Sequence, residues 1–264
     1  MSNQKTALIT GGTSGIGKEL AKLFAKDQYN LVIVARDQAE LDSTAAEFRQ
    51  SGIEVTTIAK DLSVIEQVFE VCEEVNNKGI QIDALVNDAG MGVYGLFKDN
   101  DIERELEIIN LNISATVILT KHFVQQMADR GEGKVLNLGS IAGKIPGPWQ
   151  AVYHATKAFV LSFTTAIREE MKDSGITFTA LMPGVTDTDF FNKADMNDSK
   201  ILHVPGIKAD PADVAKDGYE ALMAGDDRII SGFKNKMQVG MSNMMTDSAA
   251  AAAMEEQQKP VENS

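Results

Sequence analysis

Tyr153 and Lys157 are the pair of side chains whose types and spacing best suit proton transfer. They lie four residues apart in a stretch, about 153–172, that predicts a helix, so both side chains share one face. A free tyrosine has a pKa of about 10 and is a weak acid–base catalyst near neutral pH. A neighbouring ammonium favours the phenolate and lowers that pKa. Taken alone, however, a Tyr and a Lys at this spacing are most often an ordinary surface pairing.

Ser140 is the third candidate, because of its place after a predicted strand. The apolar run Val135 to Leu138 predicts a buried strand, and Ser140 follows it closely. Ligands of α/β sheets bind at the carboxyl ends of the strands. We therefore expect Ser140 where a substrate oxygen would bind.

A glycine-rich turn comes early in the chain, at Gly11-Gly12-Thr13-Ser14-Gly15-Ile16-Gly17, between a predicted strand and a predicted helix. Glycines let the backbone turn sharply and approach a ligand closely. The N-terminus of the following helix offers free N–H groups that suit a pyrophosphate. The spacing differs from the common G-x-G-x-x-G dinucleotide pattern, and a purely structural turn is the alternative. Its position after the first strand favours a dinucleotide site.

The elements that must position these residues alternate along the chain. Stretches with helical spacing separate short apolar runs, which predicts an α/β fold with a doubly wound, Rossmann-type parallel sheet in a single domain of residues 1–235. Residues 236–264 are rich in Met and Ala and predict a flexible tail, with a Met-rich interaction face as the alternative. The runs that predict strands are Thr6 to Thr10, Leu31 to Ala35, Val55 to Ala59, Ala84 to Val86, Val135 to Leu138, Thr177 to Met182 and Arg228 to Ser231.

Composition excludes several classes of partner. The chain has 264 residues and a net charge of −13, which disfavours nucleic acid and anionic membranes. Its single cysteine, Cys72, cannot form an internal disulfide. Without a signal-type or membrane-spanning apolar stretch, we expect a cytoplasmic protein. His203 has no partner at metal-ligand spacing, so no metal site is predicted.

These features together resemble the short-chain dehydrogenase/reductase family, in its compact single-domain branch, from about Thr6 to Phe233. The glycine turn resembles the family's cofactor turn. Further matching stretches are Asp61-Leu62 after the third strand, Asn87-Asp88-Ala89-Gly90 after the fourth, and Pro183-Gly184-Val185 with Thr188 after the sixth. With Arg36, the implied cofactor residues are Gly11, Thr13, Ser14, Gly15, Ile16, Gly17, Arg36, Asp61, Leu62, Asn87, Ala89, Gly90, Tyr153, Lys157, Pro183, Gly184, Val185 and Thr188.

The resemblance implies an oxidoreductase with four catalytic residues: Ser140, Tyr153, Lys157 and Asn112. Tyr153 would be the general acid in reduction and the general base in oxidation. Ser140 would polarise the substrate oxygen. Lys157 would lower the pKa of the tyrosine and hold the nicotinamide ribose. Asn112, which fits the family pattern better than Asn110, would position a proton-relaying water.

Asp88 departs from the family, which usually has asparagine there to stabilise the central sheet. A carboxyl group lacks the amide donor. We therefore expect a local rearrangement or a raised pKa at Asp88, with the catalytic set unaffected.

Arg36 bears on the choice of cofactor because it follows the second predicted strand. An acidic residue at that place would select NAD, whereas arginine accommodates the 2′-phosphate of NADP. The predicted cofactor is therefore NADP. Asp37 next to Arg36, and Ser14 where the family has a second basic residue, leave NAD as a weaker alternative.

Substrate choice in the family falls largely to the loop after the sixth strand, here about residues 187–208. Its apolar side chains, Phe190, Phe191, Met196, Ile201 and Leu202, suggest a partly apolar carbonyl or alcohol substrate, and Trp149 is a further candidate for the wall. The resemblance also implies a homodimer or homotetramer formed through helices that carry residues such as Val117, Phe123, Phe159 and Phe163.

Two other functions compete with an oxidoreductase. The first is a dinucleotide-binding sensor with the same fold and little turnover, which the intact catalytic set argues against. The second is a serine hydrolase. Its G-x-S-x-G turn is missing, because Leu138 stands two residues before Ser140.

Overall fold

A parallel sheet forms the centre of the computed structural model, which describes residues 4–261. Seven strands within that range pair in the order β3-β2-β1-β4-β5-β6-β7. The order reverses between β1 and β4, which is where doubly wound sheets open a ligand crevice. The strands are β1 (Thr6–Thr10), β2 (Asn30–Ala35), β3 (Val55–Ala59), β4 (Ala84–Asn87), β5 (Gly133–Leu138), β6 (Ile176–Met182) and β7 (Arg228–Ile230). The predicted Rossmann-type fold is confirmed.

Helices cover both faces of this sheet. They are α1 (Gly15–Lys26), α2 (Gln38–Arg49), α3 (Ile65–Asn77), α4 (Ile102–Ile109), α5 (Thr116–Arg130), α6 (Ala151–Glu170), α7 (Phe190–Lys193), α8 (Pro211–Ala224), α9 (Phe233–Ser242) and α10 (Asp247–Gln258). Short 3₁₀ turns occur at Ile141–Lys144 and Lys200–His203. No helix in the described range combines the length and apolarity needed to cross a bilayer.

Alternation along each strand divides the core between the two faces. On β1, Ile9 packs with Phe24 of α1, whereas Leu8 packs with Phe123 of α5 on the opposite face. All four side chains are fully buried, and each contributes roughly 1.5–3 kcal/mol of hydrophobic free energy. Phe123 is therefore a core residue and is not available for contacts between subunits.

The helical region from Ile102 to Arg130 is interrupted after Ile109. The break is a π-helical segment, Asn110–Ala115, between α4 and α5. Wider turns of this kind often occur at functional sites. Here the segment carries the Asn112 side chain, which is buried.

The C-terminal segment differs from the expected flexible tail. Its described residues form α9 and α10, while 262–264 lie outside the described range. Ala250, Met254 and Gln258 are spaced four apart along α10, so they share one face, and all three are buried. Ala250 and Met254 pack against Ile145. The sequence could not predict this buried face, because nothing in the run Ala249 to Ala253 distinguishes the buried alanine from the others.

Candidate active site

A cavity of about 930 Å³ lies at the carboxyl ends of the strands. This volume is near the upper end of the range for small-molecule sites, about 300–1,000 Å³. The glycine turn and the end of β2 line one part of it, and the β4 and β5 loops line the middle. The β6 loop, α6 and α10 line the remainder.

The glycine turn is shaped by close contacts that leave no room for side chains. Gly11 and Gly15 have φ angles of 73° and 55°, in the left-handed region that favours glycine. A Cβ atom on Gly17 would lie 2.5 Å from both Asp88 Oδ2 and Gly11 O. Ser14 begins α1 without a side-chain cap, so it does not cover the N–H groups of the first turn. The turn therefore fits a dinucleotide pyrophosphate.

Thr10 ties this turn to the loop after β4. Its Oγ1 accepts hydrogen bonds from the backbone N–H groups of Asp88 (3.1 Å) and Ala89 (3.0 Å). Two neighbouring strand ends are thereby joined at the reversal point of the sheet. This contact holds Ala89 and Gly90 against the pocket.

Arg36 stands at the end of β2 with 65% of its side chain exposed. Its Nη1 lies 3.9 Å from Asp61 Oδ2, which is too long for a strong ion pair. Asp37 instead caps α2, where its Oδ1 accepts from Glu40 N at 2.9 Å. The guanidinium thus keeps most of its donors for a ligand, whereas one oxygen of the Asp37 carboxylate is already engaged.

Ser140 is buried at the end of β5, where the chain enters a 3₁₀ turn. Its Oγ accepts from Ala142 N at 3.0 Å and donates to Pro183 O at 3.3 Å. These contacts fix the hydroxyl between the β5 and β6 ends. The side chain is therefore held in the pocket wall before any substrate arrives.

Tyr153 is half-buried in the first turns of α6. Burial raises the pKa of its phenol to about 12, and a hydrogen bond with Ser140 opposes that rise. The ring packs against Phe190, with centroids 5.2 Å apart. The phenol is therefore placed beside Ser140 and remains protonated at neutral pH.

Lys157 is buried one helical turn further along α6. Its Nζ donates to Leu138 O at 2.7 Å and lies 5.8 Å from the centre of the Tyr153 ring. Burial lowers the pKa of this ammonium to about 8, while the nearby Asp88 raises it. The net shift of the Tyr153 pKa is upward because burial of the phenol dominates it, and a lowering by Lys157 stays a prediction.

Asn112 is held by three hydrogen bonds of 3.0 Å. Its Oδ1 accepts from Met91 N, and its Nδ2 donates to Met91 O and to Thr156 Oγ1. A Cβ placed on Gly90 would lie 3.3 Å from Asn112 Oδ1 and 3.5 Å from Lys157 Nζ. The two side chains therefore converge at Gly90, behind the pocket wall.

Asn87 makes the sheet-bridging contacts that the resemblance led us to expect at position 88. Asn87 Nδ2 donates to Asn137 Oδ1 at 2.8 Å and to Thr120 Oγ1 at 3.0 Å, which joins β4 to β5 and α5. Asp88 is buried, and burial raises its carboxyl pKa to about 7, against the opposing effects of Lys157 and the Gly17 N–H. Sheet bridging thus comes from Asn87, and the expected pKa rise at Asp88 is present.

Most of the residues expected at the site surround the cavity. The expected residues that line it are Gly11, Thr13, Ser14, Gly15, Ile16, Arg36, Asp61, Leu62, Ala89, Gly90, Ser140, Tyr153, Lys157, Pro183, Gly184, Val185 and Thr188. Gly17, Asn87 and Asn112 do not line it. Gly17 and Asn112 support lining residues from behind, whereas Asn87 belongs to the interior of the sheet.

The substrate end of the cavity contains residues that sequence reasoning missed. Phe190, Phe191, Met196 and Ile201 line it as expected, but Trp149 stacks on Tyr94 outside it, with centroids 5.5 Å apart. Gln150, His154, Met254 and Gln258 also line the wall. The first two lie within one turn of Tyr153, which was an available signal. The last two come from α10, and the sequence carries no mark of that contact.

Comparison with protein families and with other proteins gives a consistent match. A family model described as short chain dehydrogenase matches residues 5–199. An uncharacterized oxidoreductase of Staphylococcus saprophyticus is 30% identical over 221 residues, which are 83% of this chain and 91% of that protein. The ketoacyl reductase HetN of a Nostoc species is 31% identical over 180 residues, 68% of this chain. That alignment spans 63% of HetN's own length.

The fold has a close counterpart among solved structures. A short-chain dehydrogenase from Sphingobium yanoikuyae in complex with NADPH superposes with a TM-score of 0.81 at 28% identity. The superposition covers 94% of this chain and 98% of that one. Helices α8, α9 and α10 lie beyond the residues that the family model matches.

Proposed function

This chain belongs to the short-chain dehydrogenase family of oxidoreductases acting on CH–OH or C=O groups, and we propose that it is an NADP-preferring member. It would move a hydride between the nicotinamide ring and a carbonyl or alcohol carbon. The observation that carries this proposal is a single cavity that contains Ser140, Tyr153 and Lys157 together with the glycine turn and Arg36.

The cofactor would span the cavity from the glycine turn to Tyr153. The turn and the start of α1 would hold its pyrophosphate, and Arg36 the 2′-phosphate. Asp61 and Leu62 lie where the adenine would rest. Lys157 would hold the nicotinamide ribose, and the stretch Pro183, Gly184, Val185 and Thr188 the carboxamide. Bound there, the cofactor supplies the hydride.

Proton transfer would be the task of the protein's own side chains. Ser140 Oγ would hydrogen-bond the substrate oxygen, and the Tyr153 hydroxyl would give that oxygen its proton in reduction. In oxidation the proton would return to Tyr153. The Lys157 ammonium would stabilise the phenolate formed on proton release. Asn112 would hold the backbone of Met91, which lines the same cavity.

The substrate would be a partly apolar ketone, aldehyde or alcohol. Support comes from the aromatic and aliphatic wall made by Phe190, Phe191, Met196 and Ile201. The name of the relative HetN, a ketoacyl reductase, agrees with carbonyl reduction. A panel of ketones and aldehydes assayed by NADPH absorbance tests this class. Tight NADPH binding without turnover of any of them would instead favour a dinucleotide sensor.

NADP preference would depend on Arg36. Replacing Arg36 with alanine should weaken NADPH binding by about 10- to 100-fold, the effect of losing hydrogen bonds to a charged group, and leave NADH binding unchanged. Calorimetric titration with both cofactors measures this. Arg228→Ala removes an exposed arginine of β7 and is the matched control. If wild type binds both cofactors equally, the NADP preference is wrong.

Assembly into a homodimer or homotetramer is proposed on the exposed apolar surface of α4 and α6. Ile102 and Leu106 of α4 are 59% and 45% exposed, and Phe159 of α6 is 38% exposed. Such side chains on adjacent helices favour burial between subunits. Light scattering coupled to gel filtration measures the oligomeric state, and a monomer at micromolar concentration would contradict the proposal.

A further inference from the structure

Three buried polar side chains form one part of the pocket wall, at the substrate end. They are Gln150, just before α6, His154 in its first turns, and Gln258 at the end of α10. All three are at most 5% exposed and line the cavity. Amides are rarely buried unless their hydrogen bonds are made, so the bonding of this cluster carries information about its ligand.

The hydrogen bonds of His154 determine which atoms of the cluster donate and which accept. Its Nδ1 lies 2.6 Å from Ile145 O, and a carbonyl oxygen can only accept, so Nδ1 carries the proton. Burial lowers the pKa of His154, which keeps the ring neutral. Nε2 is therefore an acceptor.

The orientation of Gln258 follows from that acceptor. Its Nε2 lies 3.1 Å from His154 Nε2 and 3.3 Å from Gln150 Oε1. The amide nitrogen thus donates both of its protons, one to each neighbour. Gln258 Oε1 then points away from both, and Gln150 Nε2 is likewise turned away from Gln258.

These two remaining atoms have no hydrogen-bond partner among the described residues. Gln258 Oε1 is an acceptor and Gln150 Nε2 is a donor, and both are shielded from solvent. A buried polar atom without a partner costs free energy, which a ligand that supplies the missing bond recovers. The cluster therefore holds one acceptor and one donor without partners, on two residues that line the pocket.

The cluster lies close to the catalytic tyrosine. A Cβ placed on Gly92 would lie 3.5 Å from both Gln150 Nε2 and Tyr153 Cδ2, so these two atoms flank the same point. Gln258 is held in place through its backbone oxygen, which accepts from the Ser199 hydroxyl at 3.1 Å and from the Tyr94 hydroxyl. Gln258 is thus anchored to the loop of residues 187–208 through Ser199.

We propose that Gln150 and Gln258 form a polar subsite that binds a second functional group of the substrate, a hydroxyl or an amide, at a distance from the reacting carbonyl. Such groups both donate and accept hydrogen bonds, as the two unpartnered atoms require. This inference rests on the proposed function, because it assumes a carbonyl or alcohol in reach of Tyr153. It adds that the substrate is bifunctional.

Matched pairs of substrates test the subsite. Each pair is an aliphatic or aromatic ketone and its analogue with one methyl group replaced by hydroxyl or carboxamide, assayed with NADPH. We expect kcat/KM to favour the polar member of at least one pair by about 10- to 100-fold, the range for satisfying a buried polar group. In Gln258→Met this preference should fall about tenfold or more. Gln257→Met, an exposed neighbour on the same helix, should keep the wild-type preference.

Gln150→Met provides a second variant that leaves α10 unchanged, should Gln258→Met fail to fold. Equal kcat/KM within every pair, or an unchanged preference in both variants, would overturn the subsite while the proposed function stands. Absence of turnover with every ketone would contradict the proposed function alone. In that case calorimetry with the same pairs on the NADPH-saturated protein decides: tighter binding of the polar member supports the subsite, and equal binding overturns it.

Discussion

Lys157 Nζ lies 5.8 Å from the centre of the Tyr153 ring and gives its hydrogen bond to the Leu138 backbone oxygen. The lysine is therefore anchored to the end of β5, and burial raises the pKa of the phenol to about 12. The two side chains nevertheless share one wall of the cavity. We therefore expect activity to depend on the protonation states of Tyr153 and Lys157.

Removal of the Tyr153 hydroxyl tests its role in proton transfer. Tyr153→Phe keeps the ring packed on Phe190, so NADPH binding and the unfolding temperature should change little. The turnover number should fall at least about 100-fold, the lower end for loss of general acid–base catalysis. Tyr29→Phe removes a hydroxyl outside the cavity and is the control. A Tyr153→Phe enzyme that keeps half of its turnover would refute the assignment.

The pH dependence of reduction should follow Lys157. Because burial places its pKa near 8, kcat/KM should fall as the pH rises through about 8 and the ammonium is lost. The Asp88 carboxylate raises the pKa of Lys157, so Asp88→Asn should move this decline to lower pH. Pre-steady-state or initial-rate profiles from pH 6 to 10 measure both effects, with exposed Asp173→Asn as the control. A decline that stays in place in Asp88→Asn contradicts this coupling.

Asp88 should also make stability depend on pH. Burial raises its folded-state pKa to about 7. Between about pH 4 and pH 7 the unfolded chain loses this proton and the folded protein keeps it, so the free energy of unfolding falls as the pH rises. Asp88→Asn removes that loss. The melting temperature of Asp88→Asn minus that of wild type should therefore be larger at pH 7 than at pH 5. We expect this increase to be about 2–4 °C for each kcal/mol of stability regained.

Calorimetric scans of both proteins at the two pH values decide this point. The comparison stays below pH 8 because Lys157 has a lowered pKa, and its contribution changes only at higher pH. A difference in melting temperature that is equal at pH 5 and pH 7 would show that Asp88 is already ionised at pH 5.

Two helical glycines should respond in opposite ways to alanine. At Gly17 the new Cβ would collide with Asp88 Oδ2 and Gly11 O, both at 2.5 Å, so Gly17→Ala should cost about 2 kcal/mol or more and weaken NADPH binding. At Gly240 of α9 nothing lies within 4 Å. Gly240→Ala should therefore stabilise the protein by up to about 1 kcal/mol, through helix propensity alone. Chemical denaturation measures both, and equal effects would contradict the packing argument.

Much of the sheet could be predicted because the strands of a buried parallel sheet are nearly continuous apolar runs in the sequence. Thr6 to Thr10 and Val55 to Ala59 were predicted with the bounds that the structure has. The convergence of Ser140, Tyr153 and Lys157 on one cavity could also be predicted, since Tyr153 and Lys157 are local in sequence and Ser140 follows a strand. These signals need no knowledge of contacts between distant segments.

What could not be predicted depends on such distant contacts. The burial of Gln258 arises from segments more than a hundred residues away, at Gln150 and His154. The bridging of the sheet by Asn87 depends on Thr120 and Asn137, which only the folded sheet brings near. The elevated pKa of Tyr153 likewise comes from its surroundings in the fold, which helical spacing does not reveal.

Because α10 contributes to the cavity wall but to none of the strands, we expect changes in this helix to alter which molecules the cavity accepts and to leave the proposed hydride and proton transfer undisturbed. Directed-evolution libraries confined to positions 254 and 258, which line the cavity, should explore new substrates while Ser140, Tyr153 and Lys157 stay unchanged. For the same reason, a purification tag fused after α10 would follow a helix that lines the cavity. We therefore expect a tag at the N-terminus to be the better choice for kinetic work.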